Sequence, residues 1–372
     1  MRTLNDRERL NWLQLIRTDS IGPITFHRLL KKFGSAGAAL AALPEISSKA
    51  GRKKPLRAAD RDAALNELNR AESAGARLVA FGEPDYPPML AAIPDPPPVF
   101  YLCGHASLFE KQAVGIVGAR NASAAGRKLA RQLAADLSAA SVCVVSGLAR
   151  GIDGAAHEAA LAGGTIAVVA GGVDVIYPPE HEELTRAIAA QGAVMSERPP
   201  GAQPTARDFP RRNRLISGLS FGVVVVEAAE RSGTLITARF ALEQGREVFA
   251  VPGSPLDPRC QGANRLIRDG ATLVQSAQDI LDVMAAQQRG MAANGATDLF
   301  DWAADDDSVP SADFADIRRA VRDALSYTPL HRDEVLRDVD APPGVIVDAL
   351  LDLVLAGEAE EQSGGMFVLA SD

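Results

Sequence analysis

Short apolar runs alternate with longer amphipathic stretches through the middle of the chain. Runs of strand length occupy residues 113–117, 142–146, 165–170, 193–196, 222–227, 247–251 and 271–274. Alanine-rich amphipathic stretches, predicted to be helices, lie between them at 123–140, 150–163, 180–190, 207–219 and 233–244. The run from Val223 to Val226 is apolar on both faces, which is typical of a buried parallel strand. The alternation predicts an α/β core over residues 110–284 with a doubly wound, mostly parallel sheet.

The pattern before this core is helical. Residues 1–82 contain a predicted helix, a tight turn at Ile21-Gly22-Pro23 and a second helix that ends at Gly34. This order is typical of a helix-hairpin-helix or SAM-like domain, whose turn can present backbone N–H groups to a phosphate. A small helical packing domain without such a role is the competing interpretation. Residues 83–109 are rich in proline and are predicted to be an extended connector.

The pattern after the core predicts a linker and a last compact domain. Residues 285–312 are polar and acidic and are predicted to be a flexible linker, with Leu299, Phe300 and Trp302 as an alternative partner motif. Residues 313–372 read as three helices and an apolar hairpin, the order of a winged helix. The third helix, which opens at Pro343, would read the major groove in a DNA reader. It has no Lys or Arg before residue 356, so protein contacts are favoured over duplex binding.

Length and composition are those of a globular protein with several domains. The chain has 372 residues, of which 47% are apolar, and domains of ~100–200 residues predict two or three of them. No run of ~18 apolar residues predicts a membrane helix, and the first residues lack the apolar stretch of a secretory signal. Cys103, Cys143 and Cys260 are odd in number and lack Cys-x-x-Cys spacing, so a reducing cytoplasm is expected.

The net charge of −8 is unevenly distributed. Residues 1–109 carry +4, residues 110–275 carry +2, and residues 276–372 carry −14. The acid is therefore concentrated at the C-terminal end, and a basic nucleic-acid site remains possible in the first three-quarters of the chain.

Several familiar catalytic motifs are missing from the core. The loop after residue 117 does not follow the Gly-x-Gly-x-x-Gly pattern of dinucleotide sites, and the sequence contains no Walker A lysine and no Gly-x-Ser-x-Gly elbow. Asp153 and His157 are four residues apart on one helix face, but two ligands do not make a metal site, and capping or packing is the favoured role. No cofactor and no metal are expected.

Small and cationic residues follow the predicted strands, at the edge where ligands bind in such sheets. Glycine, Ser and Thr in these loops, together with helix N-termini, can hold an anion. Phe209-Pro210-Arg211-Arg212-Asn213-Arg214 adds three arginines beside an aromatic ring. Arginine binds phosphate through paired donors and a Phe face can stack a base, so this cluster predicts a single-stranded nucleic-acid site. A solvated basic helix paired to nearby acids is the competing interpretation.

The ordered motifs resemble those of the DNA-processing protein A family (DprA, also called Smf). They lie between about Tyr86 and Ala271 and include Ile116–Arg120, Val145–Asp153 with His157, Gly171–Asp174 before Tyr177-Pro178, Phe209–Arg214, Ser232–Thr234 and Val251–Gly253. Ala119 stands where the family often has Ser. The resemblance implies a Rossmann-like core that binds single-stranded DNA without sequence preference and without catalysis. It also implies a recombination mediator in natural transformation, which loads the RecA recombinase onto incoming DNA.

The resemblance implies partners and a set of binding residues. The expected partners are single-stranded DNA, RecA, single-strand binding protein and a second copy of the chain, joined through the core. The predicted DNA-binding residues are Gly118, Arg120, Ser146, Gly147, Phe209, Arg211, Arg212, Asn213, Arg214, Arg231, Ser232, Gly233, Thr234 and Thr237.

Two functions from other classes compete with this prediction. Glu227 near Ser232-Gly233-Thr234 could belong to an enzyme that cleaves nucleotide N-glycosidic bonds, although the loop lacks that group's run of glycines. The acidic winged helix could instead make the chain a structural adaptor.

Overall fold

The computed structural model describes residues 3–49, 56–293, 311–362 and 365–370. The chain folds into two compact units. One unit holds residues 3, 67–93 and 99–293, and the other holds residues 4–49, 56–66, 94–98 and the described residues from 311 onward.

Four helices follow one another near the N-terminus: α1 (Asp6–Arg17), α2 (Pro23–Phe33), α3 (Ala36–Lys49) and α4 (Arg61–Ser73). Asn5 caps α1 in a reciprocal capping box with Glu8, because each accepts the other's backbone N–H. The helix α2 begins with Pro23 and ends where Gly34 takes a φ of +72°, a conformation that glycine adopts without strain. The predicted helical domain and its Gly-Pro turn are therefore confirmed.

A nine-stranded sheet forms the centre of the other unit. Its strands are β1 (Arg77–Ala80), β2 (Val99–Gly104), β3 (Ala113–Val117), β4 (Cys143–Ser146), β5 (Thr165–Val168), β6 (Ala193–Ser196), β7 (Gly222–Val225), β8 (Glu247–Ala250) and β9 (Thr272–Leu273). The spatial order is β1-β2-β6-β5-β4-β3-β7-β8-β9. All pairs from β6 to β9 are parallel, whereas β2 pairs antiparallel with both β1 and β6. The predicted doubly wound, mostly parallel sheet is confirmed.

Helices accompany the strands of this unit: most connect parallel strands, whereas the first lies between β1 and β2 and the last follows β9. They are α5 (Pro88–Ala91), α6 (Ala124–Ala139), α7 (Ile152–Ala160), α8 (Glu182–Gln191), α9 (Asp208–Leu219), α10 (Thr234–Glu243), α11 (Gln261–Arg268) and α12 (Ala277–Ala293). Short 3₁₀ turns occupy Ala106–Glu110, Leu161–Gly163 and Pro179–His181. Successive side chains of β7 enter two different apolar clusters: Val223 and Val225 pack in one, and Val224 packs in the other. Both faces of the sheet are thus covered, which accounts for the uninterrupted valine run.

The structure differs from the sequence prediction at the edges of this sheet. The segment predicted as a connector over 83–109 contains α5 and β2, and β1 lies within the predicted N-terminal domain of 1–82. The predicted linker of 285–312 begins inside α12, which continues to Ala293, while 294–310 lies outside the described residues. The proline-rich composition predicted an extended connector here. Composition alone cannot show that the apolar residues after Pro98 pair with β6, so β2 was not predicted.

The C-terminal residues form the predicted winged helix. The elements are α13 (Ser311–Ala324), β10 (Leu330–His331), α14 (Arg332–Asp338), α15 (Pro343–Ala356), β11 (Ala359–Gln362) and β12 (Met366–Leu369), with sheet order β10-β12-β11. Val321, Val335, Ile346, Leu350 and Phe367 are buried together and give this domain its own core.

Candidate nucleic-acid interface

An open pocket lies where the chain leaves β3, β4 and β5. It is open to solvent and is bounded by those three loops, the 175–178 segment and the first turn of α9. We call it the core pocket. Its lining includes Arg120, Gly147, Leu148, Ala149, Arg150, Val169, Ala170, Gly171, Val175, Tyr177, Pro178, Pro204, Phe209 and Arg212. The location agrees with the rule that open α/β sheets bind ligands at the carboxyl ends of their strands.

Cationic and aromatic side chains meet at this pocket. The guanidinium carbon of Arg120, which is exposed, lies 4.9 Å from the centroid of the Phe209 ring. The ring of Tyr177 lies 5.6 Å from that of Phe209 at an interplanar angle of 53°, and 43% of Tyr177 is exposed. Arg150 is also exposed, and its Nε lies 3.4 Å from Glu180. The pocket thus offers charge and aromatic surface on neighbouring side chains.

Arg212 lines the same pocket but is buried. Only 6% of it is exposed, and its Nη1 donates to the carbonyl of Gly147 at 2.5 Å and to the carbonyl of Val168. Burial lowers the pKa of Arg212 to about 10, and nearby Asp153 opposes the shift. The guanidinium is therefore still charged at neutral pH. Both hydrogen bonds are donated by Nη1. Arg212 therefore joins residues 147–151, which we call the β4 loop, to the end of β5.

Asp153, at the start of α7, holds the β4 loop from the other side. Its Oδ2 accepts backbone N–H groups from Gly147 at 3.1 Å and Ala149 at 3.4 Å. Leu148 between them has a φ of +55° and is 1% exposed. Burial raises the pKa of the Asp153 carboxyl, while Arg212 and the loop donors lower it. Asp153 is therefore a capping residue of this loop, the role that the sequence analysis favoured.

Gly147 lies directly against the guanidinium of Arg212. A Cβ added there would lie 2.5 Å from Nη1 of Arg212, so a larger residue would displace the guanidinium from this position. The absence of a side chain at residue 147 therefore lets the β4 loop and Arg212 pack closely.

A second group of predicted residues surrounds the start of α10, in residues 231–234, which we call the α10 loop. Oγ1 of Thr234 donates to the carbonyl of Gly118 at 3.1 Å, and Oγ of Ser232 accepts the backbone N–H of Thr234 at 3.2 Å. Asn213 Nδ2 donates to the carbonyl of Gly233 at 3.5 Å. These contacts bring the loops after β3 and β7 together at the point where the strand order reverses, beside β3.

Other predicted residues do not line the core pocket. Ser146 and Thr237 are buried, and Ser146 Oγ donates to the carbonyl of Ile116 at 2.5 Å. Arg214 is 3% exposed and donates to Glu197 Oε1 at 2.5 Å. Arg211 and Arg231 are exposed to solvent. The three arginines after Phe209 therefore have three different environments, which composition did not distinguish.

Arg150 and Tyr177 line the pocket although the sequence did not place them in the predicted set. Each had a signal. Arg150 follows the glycine loop of β4, and Tyr177-Pro178 was among the ordered motifs. Their convergence with Phe209 depends on three loops that are distant in sequence, so neither signal alone placed them in the site.

Glu227, the acid of the competing enzyme hypothesis, caps α6. Its Oε2 accepts the backbone N–H of Ser123 at 2.9 Å, and its Oε1 accepts the Ser123 hydroxyl at 2.5 Å. A Cβ on Gly126 would lie 2.5 Å from the Glu227 carboxyl carbon. The carboxylate thus occupies the helix N-terminus where many related sheets hold a phosphate.

The described ranges contain neither a metal cluster nor a membrane-spanning helix. No group of three His, Cys, Asp or Glu side chains there is arranged to hold a metal ion. No helix of the described residues has the length and apolarity to cross a membrane.

The fold and the pocket define a class: a doubly wound α/β protein with an arginine and aromatic pocket at the carboxyl ends of its strands, accompanied by a helix-hairpin-helix domain and a winged helix. Residues 77–285 match the family described as DNA recombination-mediator protein A. Residues 6–70 match the DprA-like N-terminal HHH domain, and residues 305–365 match the DprA winged helix domain. The chain belongs to the DprA/Smf family.

Individual relatives agree with this assignment. The DNA processing protein DprA of Bacillus subtilis is 46% identical over 211 residues, which cover 56% of this chain and 71% of that protein. The X-ray structure of DprA from Streptococcus pneumoniae superposes with a TM-score of 0.64 at 34% identity and covers 76% of this chain and 98% of that one. A DprA structure from Helicobacter pylori, described for its single-stranded DNA binding mode, gives a TM-score of 0.53 at 27% identity and covers 57% of this chain and 98% of that one.

Proposed function

We propose that the core pocket binds single-stranded DNA without reading its sequence, and that the chain acts by binding rather than by catalysis. The observation that carries the proposal is the guanidinium of Arg120 over the ring of Phe209 at the pocket. The Helicobacter pylori relative, whose single-stranded DNA binding mode is described, supports the same ligand.

The cations of the pocket suit a phosphate backbone. Arg120 and Arg150 are exposed, so both can turn toward a ligand, and arginine donates paired hydrogen bonds to phosphate oxygens. Arg150 is weakly held by Glu180, because exposed ion pairs contribute little. A phosphate can therefore replace that carboxylate at small cost.

The aromatic side chains suit unpaired bases. Phe209 and Tyr177 are partly exposed, and a base stacked on such a ring contributes ~1–3 kcal/mol. Every base has a flat face, so stacking does not discriminate sequence. Duplex DNA keeps its bases stacked on one another, and the pocket should therefore prefer single strands.

The structure changes the role that we propose for two of the predicted residues. Arg212 and Arg214 are buried, and their donors are bound to carbonyls and to Glu197. We propose that they support the pocket rather than bind phosphate directly. Asn213 and the α10 loop remain proposed contacts for the strand as it leaves the pocket.

Fluorescence anisotropy with a labelled single-stranded oligonucleotide, competed by duplex of the same sequence, tests this proposal. The double variant Arg120→Ala, Arg150→Ala should weaken binding by about tenfold or more, because two charge-assisted contacts are lost. Arg131→Ala is the matched control, since Arg131 is an exposed arginine of the same unit that does not line the pocket.

Two results would contradict the proposal. One is equal loss of affinity in the double variant and in the Arg131→Ala control. The other is competition by duplex that equals competition by single strands.

Phe209→Leu should also weaken binding while Phe209→Tyr preserves it, because only the tyrosine keeps a stacking ring.

We further propose that the bound protein delivers RecA to the DNA as a recombination mediator, including on strands covered by single-strand binding protein during DNA uptake. The family description supports this role. The test is RecA filament growth on covered single strands. Wild-type protein should accelerate it, and the Arg120→Ala, Arg150→Ala variant should not.

We propose a homodimer formed through the core. In the described part of the chain, β9 is an edge strand that pairs only with β8. Its residue Leu273 is 46% exposed. Leu273→Arg should therefore halve the mass measured by light scattering after size exclusion. Leu65→Arg, at a leucine of 45% exposure on α4, is the control and should leave the mass unchanged.

We propose the cytoplasm as the place of action. Cys103, Cys143 and Cys260 are all free thiols, as expected in a reducing compartment.

The enzyme alternative has weaker support because both carboxylate oxygens of Glu227 accept hydrogen bonds from Ser123. Release of free base from a nucleoside monophosphate by the purified protein would instead support the enzyme alternative.

A further inference from the structure

One contact joins the winged helix to the N-terminal helices within their common unit. Glu361, in the middle of β11, accepts the backbone N–H groups of Ile24 and Thr25 at 3.2 Å each. The hydroxyl of Thr25 also donates to it, at 2.7 Å. A single carboxylate of one domain thus receives three hydrogen bonds from the first turn of α2 in the other.

The start of α2 is built to need such a partner. The first N–H groups of a helix have no acceptor within the helix, and they carry a partial positive charge. The N-cap residue of α2 is Gly22, which has no side chain to accept them. A Cβ on Gly22 would lie 2.8 Å from Oε1 of Glu361. The missing side chain therefore makes room for a cap that comes from β11, which together with β12 forms what we call the wing.

A second contact of opposite charge lies one turn further along α2. The guanidinium of Arg28 donates to the carbonyl of Val347 in α15 and lies 3.4 Å from Oδ1 of Asp348. Arg28 is 24% exposed, whereas Asp348 is 67% exposed. The helix α2 thus binds the wing with its first turn and α15 with its second, which fixes the orientation of one domain on the other.

The surface used here is the one that a DNA-reading winged helix would present to a duplex. In this chain α15 contributes Val347 and Asp348 to the contact with Arg28, and it also lies against α3. We propose that the winged helix is a docking module for the N-terminal helical domain of its own chain, and that Glu361 is the residue that fastens it.

The carboxyl of Glu361 is held in a buried position. Burial raises the pKa of the Glu361 carboxyl, and the charge of Asp95 adds to the shift, although the three donors from α2 lower it. Desolvation of the carboxyl is therefore not fully offset by its hydrogen bonds. The winged helix has its own buried core, so loss of this contact should loosen its docking on α2 without unfolding the winged helix.

Hydrogen exchange of the 372-residue chain, without DNA, tests the proposal. In the wild type, the amides of Ile24 and Thr25 should exchange slowly, because Glu361 accepts both of them. Glu361→Ala should speed their exchange by about tenfold or more, the effect of losing one sound hydrogen bond. Glu360→Ala is the matched control: Glu360 is the exposed neighbour on the same strand and should have no effect.

A variant on the other side of the contact keeps the test independent of the wing. Gly22→Ala leaves β11 unchanged and should accelerate the same amides, because its methyl group displaces the carboxylate. The interior amides of α15 and of α2 beyond Leu29 should stay protected in both variants, which shows that the domains remain folded.

Three outcomes would overturn the proposal. The first-turn amides could exchange in the wild type as fast as in Glu361→Ala. They could remain slow in Glu361→Ala, which would mean that another acceptor holds them. Glu360→Ala could have the same effect as Glu361→Ala, so that charge rather than docking would explain the change.

Discussion

At the scale of single residues, buried charge explains why the core pocket has its shape. Arg212 and Asp153 reach the β4 loop from opposite sides, one through the Gly147 carbonyl and the other through the Gly147 N–H. Each also lessens the desolvation cost of the other. Such pairs add little when complete, but removal of one member leaves an uncompensated charge.

Arg212→Ala should therefore lower the free energy of unfolding by about 3 kcal/mol, because Asp153 would stay buried without its partner. Urea unfolding measures the change. Arg211→Ala, at the exposed neighbour, should stay within about 0.5 kcal/mol of the wild type. Adding Asp153→Asn to Arg212→Ala should recover part of the loss. No recovery would mean that packing, and not the buried charge, explains the cost.

His157 gives the core a pH dependence of known sign. It is fully buried, with Nδ1 2.9 Å from the Thr165 hydroxyl. Burial lowers its pKa from 6.5 to about 3, and the charges of His181 and Arg212 add to the shift. Between these values the unfolded chain binds a proton that the folded chain does not. The free energy of unfolding should thus fall as the pH falls, by up to about 1.4 kcal/mol per unit from this group.

Urea unfolding at several pH values between 7 and 4 checks this dependence. Acidic residues also titrate in this range, so the comparison is with His157→Gln, which keeps an N–H donor but has no proton to bind. Its stability should fall less steeply with decreasing pH than that of the wild type. Equal slopes for the two proteins would contradict the assignment to His157.

At the scale of elements, a side chain from another strand completes a helix end. Glu227, just after β7, caps α6 through Ser123. Glu227→Gln removes the negative charge and one acceptor from this helix start. The free energy of unfolding should fall by about 1–2 kcal/mol, with single-stranded DNA affinity unchanged.

Thermal unfolding and anisotropy measured on the same samples check this prediction. Glu230→Gln is the control, since Glu230 is exposed in the loop that follows. Unchanged stability together with loss of a base-releasing activity would instead support a catalytic role for Glu227.

Elements with regular periodicity could be predicted from the sequence, and elements defined by a distant partner could not. The apolar run at 113–117 is β3 as predicted, because a strand buried on both faces needs no other signal. The strand β2 was missed because its partners, β1 and β6, lie far from it along the chain. Contacts between residues that are distant along the chain also limit what could be predicted of the core pocket. Phe209 and Arg120 were predicted and meet at the pocket, but only the fold shows that Arg214 faces Glu197.

At the scale of the whole molecule, charge is separated along the chain. The net charge of −8 includes −14 in residues 276–372, while residues 110–275 are slightly basic. The acidic winged helix contributes Glu361 and Asp348 to contacts with α2. Two acidic side chains of the winged helix thus contact α2 within the same unit, whereas the core pocket carries the exposed arginines Arg120 and Arg150.

The salt dependence of single-stranded DNA binding tests the central claim most directly. Each phosphate neutralised on a single strand adds about −0.7 to the slope of the logarithm of the binding constant against the logarithm of salt concentration. If Arg120 and Arg150 each neutralise one phosphate, the double alanine variant should have a slope about 1.4 less steep than the wild type. A slope that is the same in both proteins, or binding that does not respond to salt, would contradict the assignment of the core pocket to the DNA backbone.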